Sequence, residues 1–122
     1  MKLKKYLKEW FEDETEEVGL YMAMARQADR EGYPEIARQF RENAMAEARH
    51  AGIAAELAGM VGDTSENLKK MVGGEDTAGR KRLKVAEKIP PDQDESIRAH
   101  LITTAKDEER HKKALKGIMD RL

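Results

Sequence analysis

The chain contains no cysteine, which excludes disulfides, thiolate zinc sites, iron–sulfur clusters and cysteine nucleophiles. Any metal ion must therefore be held by oxygen and imidazole ligands. Long hydrophobic runs are also missing, and no segment approaches the length of a membrane span. A basic start, Met1 to Lys8, leads into the acidic residues Glu9 to Glu17 and not into the apolar run of a signal peptide. We therefore expect a cytoplasmic protein with no membrane partner.

The chain also lacks an excess of charge of either sign. Charged residues make up 39% of the 122 positions, yet the net charge is −1. Nucleic acids and anionic membranes attract proteins through clustered positive charge, so this composition argues against a nucleic-acid partner. The length is that of one domain, and we expect a single domain over residues 1–122.

Proline and clustered glycine occur at only four places, namely Gly32-Tyr33-Pro34, Gly59 to Gly62, Gly73-Gly74 and Pro90-Pro91. Between them apolar residues recur every three or four positions, which indicates amphipathic helices. The segment 63–66, Asp-Thr-Ser-Glu, is typical of a helix start, whereas the glycine pair weakens the middle of that third helix. The sequence predicts an all-α four-helix bundle built from two helical hairpins, residues 3–59 and 64–121.

Glutamates and histidines interrupt the apolar stripe of every predicted helix. The second and fourth stripes each carry Glu-x-x-His, and the first and third each carry one glutamate. A buried unpaired carboxylate costs several kcal/mol, so four of them require cations. One Glu from each of two helices plus Glu-x-x-His from the other two is the di-metal arrangement of ferritin-like bundles. The predicted metal ligands are Glu14, Glu47, His50, Glu75, Glu108 and His111.

Glu47 and Glu108 are the best candidates for bridging two metal ions. Oxygen and imidazole ligands without sulfur suit iron or manganese, and zinc can compete. We expect two iron ions per site. Asp107 is expected to accept a hydrogen bond from the distal ring nitrogen of His50, unless it is an ordinary solvated aspartate. His100 lies off the stripe and is interpreted as a surface histidine.

The two halves of the chain repeat each other. Glu14 precedes Glu47 by 33 residues, and Glu75 precedes Glu108 by the same number. A shift of 61 positions superimposes these ligands as well as several apolar residues, which indicates duplication of a helical hairpin. Glu17 is the nearest competitor of Glu14 as a ligand, but it breaks this symmetry.

Two segments carry a resemblance to the rubrerythrin family. Residues 31–37, Glu-Gly-Tyr-Pro-Glu-Ile-Ala, followed by Glu47 and His50, resemble the family's passage from its first to its second helix. Residues 63–69, leading to Gly74-Glu75, resemble its entry into the third helix. The resemblance covers nearly the whole chain, although residues 76–94 match poorly. It implies a non-haem di-iron peroxidase, active against oxidative stress, that reduces hydrogen peroxide with electrons from a rubredoxin. Tyr21 resembles the family's tyrosine that bonds a ligand carboxylate.

Two departures from the family leave alternatives open. Ala78 stands where the family has a seventh carboxylate ligand, which leaves a six-ligand site similar to that of bacterioferritin. The cysteine-bound rubredoxin domain is lacking, so we expect an external electron donor. The first hypothesis is an oxidoreductase that reduces hydrogen peroxide or, less favoured, dioxygen. The alternatives are a ferroxidase or iron-handling protein and a non-catalytic helical module stabilised by metal.

The connection between the hairpins is short for a ferritin-like bundle, whose second and third helices run parallel. The return path is about 34 Å at 1.5 Å per helical residue, whereas residues 60–63 reach at most about 14 Å. The chain can cross only if the third helix loses its first turns before Gly73-Gly74. The sequence otherwise predicts a domain-swapped homodimer, in which each site takes three ligands from each subunit.

Overall fold

A computed structural model describes all 122 residues. They form four α-helices joined by short connections and no strand, so the predicted all-α class is confirmed. The helices pair in chain order: α1 packs against α2, and α3 packs against α4. Residues Met1–Val61 form one compact unit, hereafter hairpin 1, and Gly62–Leu122 form a second, hairpin 2. No helix is both long and apolar enough to cross a membrane. The helices are α1 Leu3–Arg30, α2 Pro34–Leu57, α3 Thr64–Lys88 and α4 Glu95–Met119.

Helices α1 and α2 end in the same glycine motif. Gly32 and Gly59 follow the last helical turns with φ of +83° and +72°. This left-handed conformation is unfavourable for residues that have a Cβ atom. After α2 the amide of Met60 donates to the carbonyl of Ala55 at 3.0 Å, which closes a Schellman motif. The chain therefore leaves each helix in a defined direction.

Helix α3 begins sharply and is continuous. The Asp63 side chain accepts a hydrogen bond from the Glu66 amide at 2.8 Å, and the Asn67 side chain bonds both the amide and the carbonyl of Gly62. The helix runs unbroken through Gly73-Gly74 to Lys88. The predicted weak point does not interrupt it, because propagation of a formed helix is cooperative.

Small residues form the helix–helix contacts of both hairpins. Ala25 and Ala44 are buried in hairpin 1, and their partners in the repeat, Ala86 and Ala105, are buried in hairpin 2. A Cβ atom placed on Gly79 would lie 3.6 Å from the Ala105 carbonyl oxygen, so α3 and α4 pack closely. Larger aliphatic residues stay about half exposed, among them Ile36, Leu57, Leu83, Ile97 and Ile118.

Candidate metal centre

Hairpin 1 brings three predicted ligands into one cluster. Glu14 on α1 and Glu47 and His50 on α2 place one potential ligand atom each within 4.8 Å of the others. The Nδ1 atom of His50 lies 3.5 Å from an oxygen of each carboxylate. Both carboxylates are largely buried, with 14% and 18% of their side chains exposed, whereas the imidazole is half exposed. The Glu-x-x-His spacing places both α2 residues on one helix face. The short loop 31–33 lets α2 pack back against α1, so that this face lies next to Glu14.

The two carboxylates of this cluster shift each other's pKa in opposite directions. Interaction with the Glu14 carboxylate, then with that of Glu17, together with burial, raises the pKa of Glu47 to about 7. The nearby Glu47 lowers the pKa of Glu14 against the opposing effect of burial, and the Trp10 indole and His50 lower it further. Two carboxylates this close do not both ionise without a neighbouring positive charge. The cluster therefore has the electrostatics of a cation site.

Two buried carboxylate oxygens have no hydrogen-bond partner. They are Oε2 of Glu14 and Oε2 of Glu108, one in each hairpin. Buried polar atoms are nearly always hydrogen-bonded, and an ion unaccounted for is one recognised reason for an exception. A carboxylate-rich donor set with imidazole and no sulfur suits iron or manganese. The residues present therefore fit a divalent metal ion.

Hairpin 2 repeats part of this arrangement. The Nδ1 atom of His111 lies 3.5 Å from Oε2 of Glu75, as His50 does from Glu14.

Glu108 differs from its counterpart in hairpin 1, because the Nε atom of Arg82 lies 3.6 Å from its Oε1 atom. No triad with all ligand atoms within 4.8 Å forms among the three predicted ligands of this hairpin. Arg82 also donates to the Ala78 carbonyl at 3.1 Å and occupies the repeat position of Tyr21.

Three contacts of the proposed ligands were not predicted from the sequence. The Trp10 indole donates to Oε1 of Glu14 at 3.0 Å, four residues along the same helix. Glu17, a rival ligand in the sequence, lies close enough to Glu47 to raise its pKa, and Arg82 approaches Glu108. The spacing of four was a signal for Trp10, whereas contacts between helices leave no such signal.

The two predicted supporting residues have other contacts. Tyr21 packs on Phe40, with ring centroids 5.9 Å apart, and its hydroxyl bonds no carboxylate of hairpin 1. Asp107 accepts a hydrogen bond from Arg110, one turn further along α4. The role of Tyr21 at a ligand carboxylate and that of Asp107 at His50 stay predictions. His100 is exposed, as expected of a surface histidine.

The chain matches one family model and is similar to two known proteins. A family model described as rubrerythrin matches residues 5–73, which include the cluster of hairpin 1. The chain is 42% identical over 120 residues to an uncharacterised protein of Methanocaldococcus jannaschii, covering 98% of this chain and 85% of that protein. It is 45% identical over 116 residues to reverse rubrerythrin-1 of Clostridium acetobutylicum, covering 91% of this chain but 62% of that protein.

Proposed function

Given that the chain belongs to the rubrerythrin family of ferritin-like four-helix di-iron proteins, we propose that it reduces hydrogen peroxide at a pair of iron ions. The supporting observation is the cluster in hairpin 1, whose ligand atoms lie within 4.8 Å and include a buried oxygen with no hydrogen-bond partner. The proposed metal ligands are Glu14, Glu47, His50, Glu75, Glu108 and His111.

Each residue of hairpin 1 has a distinct part in this proposal. Trp10 holds one oxygen of Glu14, so the other oxygen and His50 Nδ1 remain available to a metal ion. Glu47, which lies beside both of these groups, would be a shared ligand of two ions in this proposal. When bound, two ferrous ions supply the two electrons that peroxide consumes as it is reduced to water. The exposed Glu17, which neighbours Glu47, would carry the required protons from solvent in this proposal.

The electrons that restore the iron come from outside the chain in this proposal. These 122 residues contain no cysteine to hold a rubredoxin-type iron centre, so in this proposal a separate iron centre such as a rubredoxin is the donor.

Anaerobic iron loading tests the proposal. We expect two irons per site in the native protein and loss of stoichiometric binding in Glu47→Ala and in Glu108→Ala. Glu16→Ala, at an exposed carboxylate of α1, is the matched control and should bind normally. Stopped-flow oxidation of the reduced protein should be faster with peroxide than with dioxygen. Full retention of two irons in both ligand variants would contradict the site assignment.

A ferroxidase is the second candidate, and one feature favours it. Ala78 offers no carboxylate where the family has its seventh ligand, and its carbonyl is bonded to Arg82. A preference of the native protein for dioxygen would make this the better function. Ala78→Glu restores the carboxylate and should change the ratio of the peroxide and dioxygen rates.

A further inference from the structure

The connection between α2 and α3 is folded and short. The amide of Met60 is tied back to Ala55, and Asp63 already caps α3. Only Val61 and Gly62 lie between these two anchored points. From Met60 to Thr64 the chain spans four residue steps, at most about 14 Å when fully extended.

This reach is too small for the topology of a ferritin-like bundle. Such bundles have one long crossover, which leaves the second and third helices parallel. Glu47 lies about 15 Å before the end of α2, and Glu75 lies about 16 Å after the start of α3, at 1.5 Å per residue. To bring both to one level in parallel helices, the connection must span about 31 Å. Because α3 is continuous from Thr64 through Gly73-Gly74, unwinding of its first turns does not supply the missing length.

Each hairpin also has an incompletely covered face that carries its ligands. Ile36 and Leu57 flank the ligands of α2 and are 47% and 62% exposed. Their repeat partners on α4, Ile97 and Ile118, are 55% and 48% exposed. The same two positions are thus uncovered in both hairpins, at either side of a half set of ligands. Matching apolar positions around matching half sites suit an interface between hairpins.

We propose that the di-metal site is shared by two copies of this chain. Hairpin 1 of one copy closes a four-helix bundle with hairpin 2 of its partner, so a dimer contains two bundles. Each site takes Glu14, Glu47 and His50 from one copy and the three matching ligands of hairpin 2 from the other. The identity of the metal rests on the proposed function, whereas the exchange of hairpins rests on the connection and the two faces.

Mixing two inactivated chains tests the sharing of ligands. One chain carries Glu47→Ala with His50→Ala, the other carries Glu108→Ala with His111→Ala, and different tags allow the mixed dimer to be purified. Each variant alone should bind no iron stoichiometrically. The mixed dimer should recover one intact site and therefore half of the native iron content. A verified mixed dimer with no intact site would overturn the proposal.

Cross-linking tests the same arrangement without metal. The chain has no cysteine, so Glu47→Cys with Glu108→Cys introduces the only two thiols, at facing positions of the proposed bundle. A short bismaleimide should then link two chains into a covalent dimer. The control Glu47→Cys alone should stay monomeric under denaturing conditions.

The cross-linking outcomes also separate this proposal from the proposed function. A monomer with an internal cross-link in the double variant would show that each chain closes its own bundle, with α2 and α3 antiparallel. A covalent dimer from Glu47→Cys alone would show that like hairpins pair. Either result overturns the exchange, whatever the metal content. If the native protein binds no iron but the double variant forms a covalent dimer, the proposed function fails and the exchange stands.

Discussion

At the scale of single residues, one hydrogen bond and one ion pair decide which carboxylate oxygens stay available to a metal ion. Trp10 occupies Oε1 of Glu14 and leaves Oε2 without a partner. Arg82 approaches Oε1 of Glu108 and likewise leaves Oε2 without one. Each glutamate thus has one buried oxygen without a hydrogen-bond partner. The neighbouring group differs, since Glu14 contacts the neutral indole of Trp10 and Glu108 contacts the cationic Arg82.

Trp10→Phe should weaken iron binding. The variant keeps an aromatic side chain but removes the donor that orients Glu14, and loss of such a partner typically lowers metal affinity about 10- to 100-fold. Competition with a chromophoric chelator measures the effect. Tyr6→Phe, at an exposed aromatic residue of α1, is the control and should bind iron as the native protein does. Unchanged affinity in Trp10→Phe would mean that Glu14 needs no such support.

Arg82→Gln should strengthen iron binding, because it removes a positive charge 3.6 Å from Glu108. The Arg82 side chain is 37% exposed, so solvent screening limits the expected gain to about fivefold or less. Arg82→Lys keeps the charge and should show a smaller change. The same chelator competition measures both variants. Weaker binding in Arg82→Gln would instead show that Arg82 orients Glu108 for the metal.

At the scale of helices, α3 carries the most consequential feature, because its start and its continuity limit the reach of the connection. The Asp63 cap stabilises the start, whereas Gly73-Gly74 weaken the continuous helix because glycine favours the unfolded chain. Both are open to direct measurement by unfolding of the metal-free protein.

Gly73→Ala should stabilise the protein. The position is within the helix, and a Cβ atom there meets nothing within 4 Å. Replacement of a helix-interior glycine by alanine gains about 0.5–1 kcal/mol. Gly59→Ala is the matched contrast, because its φ of +72° disfavours a Cβ atom by about 1 kcal/mol, so that variant should be less stable. Urea unfolding followed by circular dichroism gives both values. A destabilised Gly73→Ala variant would indicate that α3 is broken at the glycine pair.

Asp63→Ala should lower the thermal midpoint by a few degrees, since it removes the cap of α3. Asp63→Asn keeps an acceptor and should retain most of the stability. The backbone hydrogen bond from Glu66 lowers the pKa of Asp63 below its ordinary value of 3.8. The charged cap therefore stabilises the fold above that value, and the contribution is lost as pH falls through the lowered pKa. The difference between native and Asp63→Ala midpoints should shrink in this acid range, and an undiminished difference would argue against a charged cap.

At the scale of the whole molecule, the residues buried between helices are small while many large aliphatic residues stay half exposed. Because small side chains bury little apolar surface between helices, other interactions that join the helices should contribute much of the stability. The predicted metal ligands come from all four helices, so bound metal is expected to contribute strongly.

Metal binding should raise the thermal midpoint substantially. A ligand that binds only the folded state at a concentration 100 times its Kd adds about 2.7 kcal/mol. Scanning calorimetry with Mn²⁺, which avoids oxidation chemistry, measures the shift against chelator-treated protein. The variant with Glu47→Ala and His50→Ala should lose most of it. Equal midpoints with and without metal in the native protein would contradict a site formed by the folded helices.

The local sequence determined the helices and the ligand faces. Periodicity and the glycine and proline positions predicted hairpins 3–59 and 64–121, and the helices found span 3–57 and 64–119 apart from their loops. Glu47 and His50 share a face because a spacing of three does so in any α-helix. The start of α3 could also be predicted from local sequence, because a helix cap is a contact between residues close in the chain.

Only the tertiary structure decided what approaches the ligands from other helices and which residues the hairpins bury. Glu17 reaches Glu47 and Arg82 reaches Glu108 across a helix pair, and such contacts depend on helix packing and rotamers that no spacing encodes. Periodicity likewise marks a stripe without distinguishing its centre from its edges. The centre belongs to alanine because closely packed helices admit only small side chains, and the larger residues, Ile36 among them, are left at the edges.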